Sequence, residues 1–411
     1  MPNDIRNVPR ILEVFLRFLR LGLTSFGGPM AHLGYFRREF VEHTAWVDDA
    51  TYKEIVAMCS VLPGPTSSQV GIVIGARRAG PLGGLFAWLA FTAPSAVILA
   101  VCGIAIRGAG DSGGAGTFTH SAGFGGILEG LAAAAAGVVL TAIVQMGRGL
   151  IRSTPEAAIA IVALALTILA DRFAPGFQWA GLAAGAGLGA ALIHCAPALP
   201  KRAPALAISH RTAMICGGVF FVLLLGTPIV ATPNTYLDLF ATFFRAGSLV
   251  FGGGHVVLPF LANFIGPSVS ERTFFAGYGI TQAMPGPLFT FSAFLGGAAR
   301  PLGGALPALV AVIAIFLPSF LLIAAVMPLW VALRELPRSN DVLAGINASV
   351  VGLLGAVFVA PIATSLVHDP LGIVFAIAVF AILIGTRLPA WAPVIACAAI
   401  GYLVRAGTFV H

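Results

Sequence analysis

Charge is what this chain has least of: 16 acidic and 23 basic residues among 411, or 9% charged, beside 58% hydrophobic. No soluble core needs that much apolar surface, and the mean hydropathy of +0.96 leaves a polytopic membrane protein as the class that fits. Cysteine is scarce as well. Cys59, Cys102, Cys195, Cys216 and Cys397 lie apart in apolar stretches with no CxxC pair, which argues against a disulfide framework or a thiolate metal site. There is no HExxH, no Walker lysine motif and no clustered carboxylate pair, so no metal, no cofactor and no enzymatic role are expected. Gly110-Asp111-Ser112-Gly113-Gly114 spells GxSxG, but in a Gly/Ser-rich loop without the strand–turn–helix context a nucleophile needs. The net charge of +7 is dispersed with no aromatic-interleaved stripe, which speaks for positive membrane loops and against nucleic acid. The first apolar stretch carries Arg17 and Arg20 and no A-x-A site follows, so it is expected to persist as a helix.

What the chain has in abundance is glycine (50) and proline (27). Their placement is repetitive. Phe26-Gly27-Gly28 is followed by Pro63-Gly64-Pro65, and Phe251-Gly252-Gly253 by Pro285-Gly286-Pro287. The match extends outward. Arg20-x-Gly22 answers Arg245-x-Gly247, Gly75 and Arg78 answer Gly297 and Arg300, and Pro94-Ser95 answers Pro318-Ser319. Gly130 and Gly137 answer Gly345 and Gly352, and Pro155 and Arg172 answer Pro370 and Arg387. Two homologous halves, 1–195 and 235–411, are expected, joined by a 196–234 linker. The apolar stretch Thr212–Ala231 in the linker has no partner in either half, so it reads as one extra, orientation-reversing span.

Charge-free runs such as Ala79–Ile106, Gly130–Gly147, Ala246–Ser270 and Pro301–Leu333 are of membrane-crossing length at about 1.5 Å per residue. The expected fold is an all-α polytopic membrane protein of about 13 transmembrane segments, in two inverted-topology repeats with discontinuous helices. Loop charges set the orientation. Arg148 and Arg152 have no basic equivalent in the second half, and Arg334 and Arg338 answer a first-half loop whose charge is Asp111. Equivalent loops thus carry opposite decoration, with the N-terminus cytoplasmic and the C-terminus periplasmic.

Breaking a helix inside lipid frees backbone groups that only protein or a water-filled cavity can satisfy. Gly27-Gly28-Pro29, Gly252-Gly253-Gly254 and the two Pro-Gly-Pro turns are therefore candidate binding elements, each followed by a new helix N-terminus suited to an oxyanion. Thr66, Ser67, Ser68 and Gln69, with Thr290 and Ser292 in the second half, add donors. Arg20 and Arg245 sit at equivalent positions before the breaks; a mid-span Arg costs about 2.5–3.5 kcal/mol, so an anionic partner is expected. Arg17, whose counterpart is Thr242, reads instead as snorkelling to the interface. His32 and His255 flank the two breaks at non-equivalent positions and are candidate donors. Glu39, Glu129 and Asp238 are the acidic groups nearest the membrane and the candidate proton carriers.

The block Phe18-Leu19-Arg20-Leu21-Gly22 running into Ser25-Phe26-Gly27-Gly28-Pro29, with Leu62-Pro63-Gly64-Pro65, resembles the chromate transporter family. Phe251-Gly252-Gly253-Gly254-His255 and Met284-Pro285-Gly286-Pro287 resemble the second domain of its long, two-domain members. The resemblance implies a bacterial inner-membrane protein that exports chromate and confers chromate resistance. Sulfate or another oxyanion, and a passive anion channel, remain alternatives. The lipid bilayer is the implied partner, and a homodimer is an allowed assembly. The second half has Gly254 where the first has Pro29, so the two half-sites are not expected to bind identically.

Overall fold

The computed structural model describes residues 9–111, 122–173, 179–193, 208–251, 257–265, 268–330, 339–359, 369–386 and 388–407. Every regular element among them is helical. The first half comprises α1 (Arg10–Thr24), α2 (Gly28–Arg37) running into a π-turn (Arg38–His43), α3 (Asp49–Val61), α4 (Thr66–Asp111), α5 (Ala122–Leu150), α6 (Thr154–Phe173) and α7 (Trp179–Leu192). After α8 (His210–Val230) come α9 (Tyr236–Leu249), α10 (Val257–Ile265), α11 (Glu271–Gln282), α12 (Phe291–Ala298) and α13 (Ala305–Val326). The chain closes with α14 (Ser339–Val357), α15 (Pro370–Gly385) and α16 (Trp391–Gly407).

Polar side chains fix where several helices begin. Asp48, Ser209, Thr235, Ser270 and Asp369 each accept a backbone N–H from the first turn of the helix that follows, at 2.8–3.3 Å. Apolar spacing then decides which face is buried. In α1 the buried residues are Val14, Phe18, Leu21 and Gly22, one stripe at helical period lying on α4. The segments Thr66–Gly108, Gly123–Leu150, His210–Val230 and Ala305–Leu329 are long and apolar enough to cross a membrane. Of these, α8 keeps Met214, Ile215, Phe221, Val222 and Ile229 exposed, an apolar face suited to lipid. By contrast α1, with 15 residues, reaches only about 22 Å at 1.5 Å per residue, short of a full crossing.

Two of the long helices are sharply interrupted or preceded by a break. α4 turns at Ala79 and Gly80, where the backbone leaves helical geometry, so it is a short arm and a long arm joined at one point. In the second half the corresponding short arm is α12 and the long arm is α13. The Arg107 guanidinium, near the end of α4, donates to the carbonyls of Gly303 and Pro301 in the turn before α13. That contact joins the tip of a first-half helix to a second-half break.

The last helices are exchanged between halves. α5 packs on α15 and α16, and α14 packs on α6 and α7. Glycines matched in sequence make these approaches. A Cβ on Gly130 would run into the Cys397 carbonyl on α16, and one on Gly345 into the Gly185 carbonyl on α7. A Cβ on Gly137 would lie 2.5 Å from the Ala376 carbonyl on α15, and one on Gly352 would collide with the Ala160 carbonyl on α6. Small residues let backbones touch where lipid supplies no hydrophobic drive. The Gly185-x-Gly187-x-Gly189 run belongs to the same packing: Gly185 and Gly189 meet α14, while Gly187 faces open space. Cys59 and Cys397 are buried, and Cys59, Cys102, Cys216 and Cys397 are free thiols.

Gly345→Val should force α14 from α7 and destabilise the protein by about 1–3 kcal/mol, read as a lower unfolding temperature in detergent. Gly218→Ala, with nothing near the new methyl, should leave that temperature unchanged or raise it slightly.

Candidate functional site

Four interruptions converge between the halves. α1 stops at Thr24, the Ser25 amide closes the last turn on the Leu21 carbonyl at 2.8 Å, and Gly27 at φ +100° starts α2 with Pro29 in its first turn. α3 ends at Val61, and Gly64 at φ +118° turns the chain through Pro63-Gly64-Pro65 into α4. In the second half α9 ends at Leu249 ahead of Phe251; Gly252, Gly253, Gly254 and His255 lie outside the described residues. α11 ends at Gln282, and Gly286 at φ +99° turns through Pro285-Gly286-Pro287 into a short 3₁₀ turn and α12. Only glycine takes those three positive φ values without steric strain.

The interruptions are tied crosswise. Gly286 donates its N–H to the Ser25 carbonyl at 3.0 Å, and Gly64 donates its N–H to the Val250 carbonyl at 2.7 Å. Ser25 and Val250 are equivalent positions, each just before the Phe-Gly-Gly of its half, and each is served by the Pro-Gly-Pro turn of the other half. Chemistry dictates the need at Ser25. Its helical partner would be residue 29, a proline with no N–H, so the carbonyl must find a donor elsewhere. The seats of the two turns cross as well. A Cβ on Gly64 would lie 2.8 Å from Ser319 Oγ, and one on Gly286 would lie 2.7 Å from Ser95 Oγ. Ser95 and Ser319 are the serines of the matched Pro-Ser pairs in the two long arms.

His32 is fully buried beside the first break. Its Nε2 lies 3.2 Å from the Ser25 carbonyl and its Nδ1 3.3 Å from Ser67 Oγ, with the Phe91 ring edge-on at 5.3 Å. It therefore ties the first break to the start of α4. Thr66 and Ser67 are buried there, and Gln69 donates from Nε2 to the Pro63 carbonyl at 2.7 Å. The buried hydroxyls of Ser25, Ser68, Thr92 and Ser292 have no hydrogen-bond partner among the described residues, a concentration of unmet polar groups around the interruptions.

One seam opens into a cavity of about 190 Å³. Its walls include Gly27 and Gly28 from the first break, Gly286 from the second turn, Thr141 and Gln145 from α5, and Thr281 and Gln282 from α11. No lining residue among the described ones is charged. Phe26 is half-buried and stacks obliquely on Trp391, the first residue of α16. Arg20, in the last turn of α1, is exposed, and Arg245 is half-buried on α9; neither lines the cavity. Sequence reasoning missed Thr141, Gln145, Thr281 and Gln282. Gln145 and Gln282 carried a usable signal, since a carboxamide in an apolar run needs a partner much as a charge does.

The acidic groups are already engaged. Glu39 pairs with Arg17 at 2.5 Å and with His43 at 3.5 Å. Glu129 takes Arg272 at 2.9 Å and Arg405 at 2.7 Å, tying α5 to α11 and α16. Asp238 accepts the Asn234 N–H at 3.3 Å ahead of α9. Arg17 corrects the snorkelling expectation. It is only 23% exposed, bonded to Glu39, close to Glu13 and set over the Trp46 ring, because the π-turn after α2 brings Glu39 back to α1.

The sequence profile of the chromate transporter family matches residues 12–190 and again 237–402. The chain belongs to that family. A chromate transport protein of Pseudomonas aeruginosa is 28% identical over 353 residues, covering 84% of this chain and 79% of that protein. One from Cupriavidus metallidurans is 27% identical over 355 residues, covering 84% and 82%. An uncharacterized transporter of Methanocaldococcus jannaschii is 25% identical over 366 residues, covering 86% and 84%. No solved structure gives a significant match.

Gly286→Ala should destabilise this chromate transporter family member by about 1–2 kcal/mol from the positive φ alone, before the contact with Ser95 is counted. Gly64→Ala should behave alike, and Gly34→Ala, in open space, should not. Unfolding temperatures of the three variants in one detergent provide the comparison.

Proposed function

We propose that this chain exports chromate from the bacterial cytoplasm across the inner membrane by alternating access, and so confers chromate resistance. The observation that carries the reading is the crossed pair of bonds, Gly286 to Ser25 and Gly64 to Val250. Two matched seams between matched halves are what a rocking transporter needs, since one can part while the other stays closed. In this reading residues 1–195 and 235–411 are inverted repeats and α8 reverses the orientation. The N-terminus is cytoplasmic and the C-terminus periplasmic. The curated relatives described as chromate transport proteins support the choice of ion.

The driving force follows from charge. An outbound dianion gains about 4.6 kcal/mol at 100 mV, inside negative, which sustains a gradient of more than about a thousandfold. Export therefore runs on membrane potential or on proton motive force. Arg20, exposed beside the first break, and Arg245, its half-buried counterpart, are assigned to attract the anion toward the seams.

Chromate uptake into inverted membrane vesicles tests this directly. Uptake should saturate with chromate, compete with sulfate and fall when the potential is collapsed. Arg20→Ala should lower it several-fold at low chromate. Uptake that rises without saturation would identify a channel, and full efflux by Arg20→Ala would remove that residue from the assignment.

A further inference from the structure

One face of the molecule carries an ion-pair cluster that joins the two halves. Arg405 on α16 grips Glu129 on α5 as a fork, Nε to Oε2 at 2.9 Å and a terminal nitrogen to Oε1 at 2.7 Å. Arg272, in the first turn of α11, donates to Glu129 Oε1 at 2.9 Å and to the Gly125 carbonyl at 2.7 Å. An isolated exposed pair contributes little, but a bidentate fork within a network of three charges is the arrangement that does contribute. Neighbouring contacts define the face. The Arg300 N–H donates to the Ser268 carbonyl at 2.9 Å and Arg107 reaches Gly303 and Pro301, so the end of α4 and the starts of α5, α11 and α13 lie together. From the cluster a seam between α5 and α11 leads inward. A Cβ on Gly279 would lie 2.6 Å from the Leu131 carbonyl, and beyond that approach Thr281 of α11 and Thr141 of α5 line the cavity. α11 has 12 residues, so about 18 Å of helix separates the cluster from the cavity.

The matched positions at the other seam are apolar. Aligning the Pro-Gly-Pro turns places Ala50 opposite Arg272, and the helix caps Asp48 and Ser270 agree with that register. Aligning Gly345 with Gly130 places Ala344 opposite Glu129. The approach of Gly189 to the Asp341 carbonyl repeats that of Gly401 to the Gly126 carbonyl, which places Ile193 opposite Arg405. Ile193 and Ala344 pack in one apolar cluster with Ile159 and Ala348. Resting on the transporter reading, we propose that Arg272, Glu129 and Arg405 are a gate latch: they hold the α5–α11 seam shut between the cavity and this face, and they release when the face opens. Gly126 and Gly130 seat α5 on α16, so Glu129 and Arg405 stay together and Arg272 is the movable member. Because its counterparts are apolar, the latch acts at one mouth and weights the resting molecule toward closure there. An ion pair suits a contact that must part, since each charge is rehydrated as it leaves, whereas parting apolar surfaces exposes them to water.

The test reads the gate directly in the full chain. Thr141→Cys places a thiol in the cavity, and a membrane-impermeant thiol reagent is added to right-side-out or inverted vesicles. The chain without that substitution gives the background from the native cysteines. Added from the latch face, the reagent should label the Thr141→Cys variant about five-fold faster when Glu129→Gln or Arg272→Gln is also present, the factor expected from one favourable exposed pair. Combining the two should add little, because each breaks the same bond. Arg272→Lys, which keeps the charge, should stay near the starting rate. Lys53→Gln, which breaks a pair with Asp49 inside α3, should match it. Labelling from the opposite face should not rise. Unchanged labelling in both Glu129→Gln and Arg272→Gln overturns the latch and identifies a static brace; an equal rise from both faces overturns it as general loosening. If Glu129→Gln fails to fold, Arg272→Gln, half-exposed in a first turn, decides alone. Either failure leaves the transporter reading intact, since labelling needs no substrate. Wild-type protein that carries neither chromate nor sulfate in proteoliposomes overturns that reading instead.

Discussion

Two backbone hydrogen bonds hold the rest of this architecture in place. A helix that stops inside a membrane leaves carbonyls that lipid cannot satisfy, each unsatisfied group costing several kcal/mol. At Ser25 the deficit is built in, because Pro29 has no proton to offer. The remedy comes from Gly286, in the opposite half, and the same remedy in reverse reaches Val250 from Gly64. At each break one bond thus comes from the opposite half, joined at Ser25 by the His32 ring of its own half. The exchange of α15 and α16 onto α5, and of α6 and α7 onto α14, repeats this dependence at the scale of whole helices.

The pairing also explains the glycine content without appeal to flexibility. Gly130, Gly137, Gly345 and Gly352 are small because carbonyls of the other half occupy the space a side chain would take. Polar residues follow the same economy. Ser95 and Ser319 each seat the opposite turn, while Thr141 and Thr281 return their protons to their own helices.

Much of this was legible in the amino-acid sequence, for a physical reason. Gly-Gly and Pro-Gly-Pro have few uses inside an apolar helix except to end it, so Gly27, Gly64 and Gly286 announced their breaks. The crossing of partners was not legible. Gly64 and Val250 are far apart along the chain, and a backbone bond leaves no mark in side-chain identity. Arg17 was misread because its partner, Glu39, is brought back by a π-turn that has no simple sequence signature. The cavity residues were missed for a related reason: Thr141 and Thr281 look like any threonine that bonds back within a helix, and only geometry shows what they line.

The path of α4 has a mechanical consequence. Its short arm begins at the first Pro-Gly-Pro turn, its long arm packs on α1 and α12, and Arg107 near its tip grips the turn that precedes α13. The two arms lie side by side: a Cβ on Gly75 would stand 2.5 Å from the Gly83 carbonyl, and one on Gly84 3.0 Å from the Ile72 carbonyl. The reversal is made at Ala79 and Gly80, where the backbone departs from the helix and no neighbour crowds the Gly80 Cβ position. Glycine at 75, 83 and 84 therefore works as the zip of a helical hairpin, and the reach of Arg107 toward the turn before α13 depends on that zip staying closed.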